Sequence, residues 1–83
     1  MAESIDRARF NRLIHELLLG SVRRNSFERW EVELMLAFQE SDYDRGTKRQ
    51  LLRRYLKTAN RGFEAGHAPP PPATYLAAHR RSR

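Results

Sequence analysis

A chain of 83 residues with no cysteine and a formal net charge of +6 has room for one small domain but not for a deep enclosed active site. The lack of cysteine excludes disulfides, cysteine-type zinc sites and thiol catalysis, and no apolar run approaches the ~18 residues of a membrane span. Because the N-terminus also lacks the apolar core of a signal peptide, we expect a soluble, cytoplasmic protein.

The first predicted helix spans about residues 5–22. Ser4 can cap its N-terminus, and Phe10, Leu13 and Leu17 recur at the three- and four-residue spacing of one helical face. Gly20 weakens its end, so the residues that follow are expected to form a connection.

The second predicted helix spans about residues 26–41, and Asn25 with Glu28 has the spacing of a capping box. It is apolar on two faces, which is typical of a buried helix. We favour a central position between the other two helices, but the second face is also suited to a protein partner or a second copy of the chain. The residues of this second face are Val32, Met35 and Leu36.

The third predicted helix spans about residues 47–63 and begins at a capping box formed by Thr47 and Gln50. Its apolar face completes a predicted core, at the positions where three helical periodicities agree. That core comprises Phe10, Leu13, Leu17, Phe27, Trp30, Leu34, Phe38, Leu52, Tyr55, Leu56 and Ala59.

The last part of the chain, residues 67–83, is predicted to be an arm. Four prolines, Pro69 to Pro72, favour an extended polyproline segment of roughly 12 Å. The following "ATYLAAHRR" has the composition of a short fourth helix, and its Tyr75 and Leu76 can dock on the bundle. The predicted fold is therefore all-α, with a three-helix domain in residues 1–66 and a proline-separated basic arm.

Charge is unevenly distributed. Residues 28–44 carry −5, whereas residues 45–61 carry seven cations and no acid. Four of these cations, Arg49, Arg53, Lys57 and Arg61, are spaced four residues apart and form one stripe, whose like charges cost ~0.2–0.5 kcal/mol per pair. Either the acids of the second helix face this stripe, or an external polyanion does.

Because the cations outnumber the acids available to them, the leading hypothesis is a non-enzymatic module that binds DNA, RNA or a ribonucleoprotein. The alternative is a protein–protein adaptor or self-associating bundle that uses the second apolar face and the prolines. The predicted nucleic-acid-binding residues are Arg45, Lys48, Arg49, Arg53, Arg54, Lys57, Arg61, Arg80, Arg81 and Arg83.

Catalytic chemistry is not indicated by any motif. "HELLLG", beginning at His15, lacks the second histidine of a zinc protease, and the tail residues His67 and His79 have no metal-ligand spacing. We therefore expect no enzymatic activity, metal, cofactor, small-molecule substrate or membrane.

Overall fold

Four α-helices follow one another in a computed structural model that describes residues 4–81, the side chain of Arg81 excepted. They are α1 (Arg7–Leu19), α2 (Arg29–Gln39), α3 (Arg45–Glu64) and α4 (Pro72–Arg81). No β-strand occurs within the described residues. The all-α class is confirmed, and the fourth helix is present.

The helix ends differ from the predicted ends because other residues supply the caps. Asp6, not Ser4, caps α1 by accepting hydrogen bonds from the backbone N–H groups of Ala8 (2.8 Å) and Arg9 (3.3 Å). Gly20 adopts a left-handed conformation (φ 69°) and ends α1 three residues earlier than predicted. This conformation is favourable mainly for glycine.

The second helix is shorter than predicted, because its capping box lies three residues later in the chain. Glu28 is the N-cap, and its backbone N–H donates to the carboxylate of Glu31 at 2.8 Å. The third helix is longer than predicted, because it begins after the N-cap Asp44 rather than at Thr47.

The predicted central position of the second helix between the first and third is wrong: α1 packs mainly on α3, and α2 packs mainly on α4. Phe10 lies where the elements meet, with its ring centroid 6.1 Å from that of Trp30 and 5.6 Å from that of Tyr55. Most of the predicted core is buried as expected. The buried apolar residues are Phe10, Leu13, Ile14, Trp30, Leu34, Phe38, Leu51, Leu52, Tyr55, Ala59 and Leu76.

Three predicted core residues, Leu17, Phe27 and Leu56, are only partly buried. Phe27 precedes α2 and lies in the connection, where the guanidinium of Arg24 covers its ring at 5.5 Å. Leu17 borders an open groove near the end of α1. For Leu56 the structure offers no single cause.

The proline segment packs on the bundle, and it is one residue shorter than predicted, because Pro72 begins α4. Pro69 is buried, and the Tyr55 hydroxyl donates to the carbonyl of Pro70 at 2.6 Å. Leu76 of α4 is also buried, and the Tyr75 ring lies 5.1 Å from that of Tyr55. The division into residues 1–66 and 67–83 stays a prediction that truncation can test.

Candidate nucleic-acid interface

The α3 basic face consists of five exposed cations, Arg49, Arg53, Arg54, Lys57 and Arg61. Arg49 and Arg61 are twelve residues apart, which corresponds to ~18 Å along a helix. No ion pair joins these side chains to an acid among the described residues. Their charge is therefore available to solvent or to an external anion.

A polar seam between α1 and α3 fixes the orientation of this face. Asn11 and Asn60 exchange hydrogen bonds through their side-chain amides, at 3.1 and 2.8 Å. Arg7 donates to the same amide oxygen of Asn60 at 2.8 Å and also pairs with Glu64 at 3.3 Å. Because these hydrogen bonds hold Asn60 against α1, its side-chain amide is already occupied.

The acids of α2 do not neutralise the α3 basic face, contrary to one of the two explanations that the sequence left open. Glu31 instead bonds Arg9 of α1 and Arg24 of the connection. Glu33 pairs with Arg29 within α2 at 3.4 Å. The negative charge of α2 is directed mainly towards α1 and α2 itself.

Glu31 is the centre of this network and is fully buried. Its Oε1 accepts from Arg9 Nη2 at 2.6 Å, and its Oε2 accepts from Arg24 Nη1 at 2.7 Å. Burial alone would raise its pKa, but the hydrogen bonds from Arg9, the Glu28 backbone and Arg24 outweigh burial and lower the pKa below its ordinary value. The sequence pattern did not single out Glu31, although its position three residues after Glu28 is that of a capping box.

Of the remaining predicted cations, Arg45 and Lys48 lie at the N-terminal end of α3, and Arg80 and Arg81 lie in α4. Arg45 is exposed, and half-buried Lys48 donates to the carbonyl of Gln39 at 3.4 Å. Arg80 lies 3.9 Å from Asp42 and stacks over the Tyr43 ring, so part of its charge is used internally. The side chain of Arg81, and the whole of Arg83, lie outside the described residues.

The predicted partner face of α2 is divided. Val32 and Leu36 are exposed, at 40% and 45%, whereas Met35 is partly buried beside the end of α1. The exposed pair is too small to form a large apolar patch by itself.

Groups of histidine and acidic side chains suited to a metal ion do not occur within the described residues. None of the described helices is long and apolar enough to cross a membrane. No protein-family model, curated protein or solved structure matches this chain significantly. Within residues 4–81, fold and surface define a small, basic, all-α protein with four helices.

Proposed function

We propose that this protein is a non-enzymatic module that binds nucleic acid, alone or within a ribonucleoprotein, through the α3 basic face. The observation that supports the proposal is the set of five exposed cations without an acidic partner among the described residues. Each phosphate that such a cation neutralises releases condensed counterions, which yields affinity without reading base sequence.

Spacing also supports a phosphate backbone as the ligand. Residues four apart on a helix are separated by ~6 Å along its axis, so successive cations can contact neighbouring phosphates. Four of the five cations of this face are arginines, and the fifth is Lys57. Of the eleven arginines and lysines elsewhere in the chain, ten are arginines. Arginine can grip a phosphate through two N–H groups, whereas lysine provides a point charge. The seam amide Asn60 is occupied, so we expect little preference for base sequence.

The test is a fluorescence-anisotropy titration of the full chain with single-stranded RNA and duplex DNA, at two salt concentrations. Arg53→Glu combined with Lys57→Glu should weaken binding and reduce the slope of log affinity against log salt by roughly one unit per lost phosphate contact. Folding should be retained, because both side chains are exposed and like-charge repulsion along α3 is relieved.

The matched control is Arg12→Glu combined with Arg23→Glu. Both residues are exposed, both precede α2, and the double change lowers the net charge by the same amount. If the two double variants lose the same affinity, total charge and not the α3 basic face governs binding. Equal affinity of wild type and Arg53→Glu/Lys57→Glu would exclude the proposal.

A protein–protein adaptor is the second candidate. Its support is the exposure of Val32 and Leu36 on α2, which together form only a small apolar patch. On this hypothesis the stability of the protein rises with its concentration or with a protein partner present. Sedimentation of the free chain over a range of concentrations distinguishes self-association from a monomer.

A further inference from the structure

A shallow groove of about 470 Å³ lies between the end of α1, the second half of α2 and the first turns of α3. Apolar side chains from all three helices contribute to its lining, and one of them, Leu19, is 78% exposed, the most exposed large apolar side chain among the described residues. The apolar residues that line it are Leu17, Leu18, Leu19, Met35, Phe38 and Leu52.

The rim of this groove is positively charged on its α3 side, where Arg45, Lys48 and Arg49 contribute to the lining and no acidic residue does. Lys48 reaches towards the last turn of α2, where it donates to the Gln39 carbonyl. Arg45 and Arg49 are exposed and form no ion pair with any described acid. The groove therefore combines a leucine-rich floor with two available cations.

We infer that this groove binds an amphipathic helix of a partner protein, with leucine-like side chains on one face and acidic residues beside them. Helix-in-groove recognition uses apolar anchors at i, i+3, i+4 and i+7, which would fill the leucine-rich floor. The acidic flank of such a helix complements Arg45 and Arg49.

Other occupants fit the groove less well. A nucleic acid would be attracted by the rim but would leave the apolar floor uncovered. A lipid surface favours a protruding apolar feature, whereas only Leu19 extends from this concave site. The inference is independent of the proposed function, since the groove shares only Arg49 with the α3 basic face.

The probe for this inference is a fluorescein-labelled peptide of about four helical turns, with leucines at i, i+3, i+4 and i+7 and glutamates flanking them. A second peptide carries lysine at every glutamate position. Both are titrated with the full chain, and binding is followed by anisotropy. We expect saturable binding of the glutamate peptide and at least about fivefold weaker binding of the lysine peptide, as for the loss of contacts near 1 kcal/mol.

Two pairs of variants locate the binding site. Leu19→Asp should weaken peptide binding, whereas Leu36→Asp, at an exposed leucine on the outer face of α2, should leave it unchanged. Arg45→Glu combined with Arg49→Glu should weaken it, whereas Arg53→Glu combined with Lys57→Glu should not. Circular dichroism verifies that every variant retains the helical content of the wild type.

Three results would overturn the inference. The first is equal binding of the two peptides, or no saturable binding of either. The second is that the protein does not bind the peptide but does bind vesicles of equal parts phosphatidylglycerol and phosphatidylcholine, and that Leu19→Asp abolishes this vesicle binding. The third is a dimer that Leu19→Asp dissociates, again without peptide binding, which would identify a second copy as the occupant. The nucleic-acid titrations of Arg53→Glu/Lys57→Glu are unaffected by any of these outcomes.

Discussion

Replacing Glu31 by glutamine should destabilise the protein more than any other neutralisation of an acid on α2. The Glu31 carboxylate accepts four hydrogen bonds, two from Arg9 (3.0 and 2.6 Å), one from Arg24 (2.7 Å) and one from the Glu28 backbone (2.8 Å). A glutamine side chain keeps only one oxygen, so at least one of the two arginines loses its acceptor. The remaining donors then bond a neutral oxygen instead of a charged carboxylate.

The size of the effect follows from these contacts. A hydrogen bond to a charged group contributes ~1.5–3 kcal/mol, about twice the contribution of a neutral one. The side chains of Arg9 and Arg24 remain 35% and 20% exposed, so water partly replaces the lost acceptor. We therefore expect Glu31→Gln to lower the free energy of unfolding by about 2–3 kcal/mol, against a total of ~4–12 kcal/mol for a chain of this length.

Urea unfolding at pH 7, followed by circular dichroism, measures this change. The matched control is Glu33→Gln on the same helix, because Glu33 is exposed and its ion pair with Arg29 is also exposed. The control should change the free energy of unfolding by less than ~0.5 kcal/mol. Equal effects of the two substitutions would refute the assignment of the Glu31 network as a stabilising element.

The pH dependence provides a second check on the same residue. Because the pKa of Glu31 in the folded protein lies below its ordinary value of 4.5, its contribution is fully present above pH 4.5 and is lost as the pH falls through the folded-state pKa. Wild type and Glu31→Gln should therefore converge in stability in acid, below that range. A difference that stays constant down to the lowest pH would show that the loss arises from packing rather than from charge.

Further substitutions test the core and the C-terminal segment. Trp30→Ala should lower the free energy of unfolding by ~3–5 kcal/mol in urea unfolding, and a variant that melts like the wild type would contradict its place in the core. Removal of residues 67–83 should lower the melting temperature, because α2 loses its main packing partner and buried Leu76 is lost; unchanged melting would show that α4 contributes no stability. Tyr55→Phe should lower the free energy of unfolding by ~1 kcal/mol in the same assay, because it removes the hydrogen bond to Pro70. An unchanged free energy of unfolding would indicate that water bonds the hydroxyl in the unfolded protein as well as Pro70 does in the folded one.

Sequence periodicity predicted the first three helices because each carries apolar residues at a 3.6-residue repeat, on one face of α1 and α3 and on two faces of α2. The helix ends were less predictable, since several residues able to cap lie within a few positions of one another. Ser4 and Asp6 both qualify for α1, and Thr47 and Asp44 both qualify for α3. Only the packed structure selects between them.

The candidate site was predicted in part. The stripe of α3 follows directly from the four-residue spacing of Arg49, Arg53, Lys57 and Arg61, and those side chains are exposed. The absence of ion pairs between this stripe and the acids of α2 could not be predicted from the sequence. It depends on tertiary packing, in which Glu31 pairs with Arg9 and Arg24. The groove was not foreseen either, since its lining comes from three helices that are distant in sequence.

The non-sequential pairing of helices has a consequence for how the chain emerges during synthesis. The amide pair between Asn11 and Asn60 spans 49 residues, and α2 packs on a helix that starts only at Pro72. Contacts between residues so distant in sequence form slowly, because the entropic cost of closing the loop comes before the contacts can offset it. Therefore α1 can meet α3 only after residue 60 has left the ribosome, and α2 can meet its main packing partner only after α4 has left it.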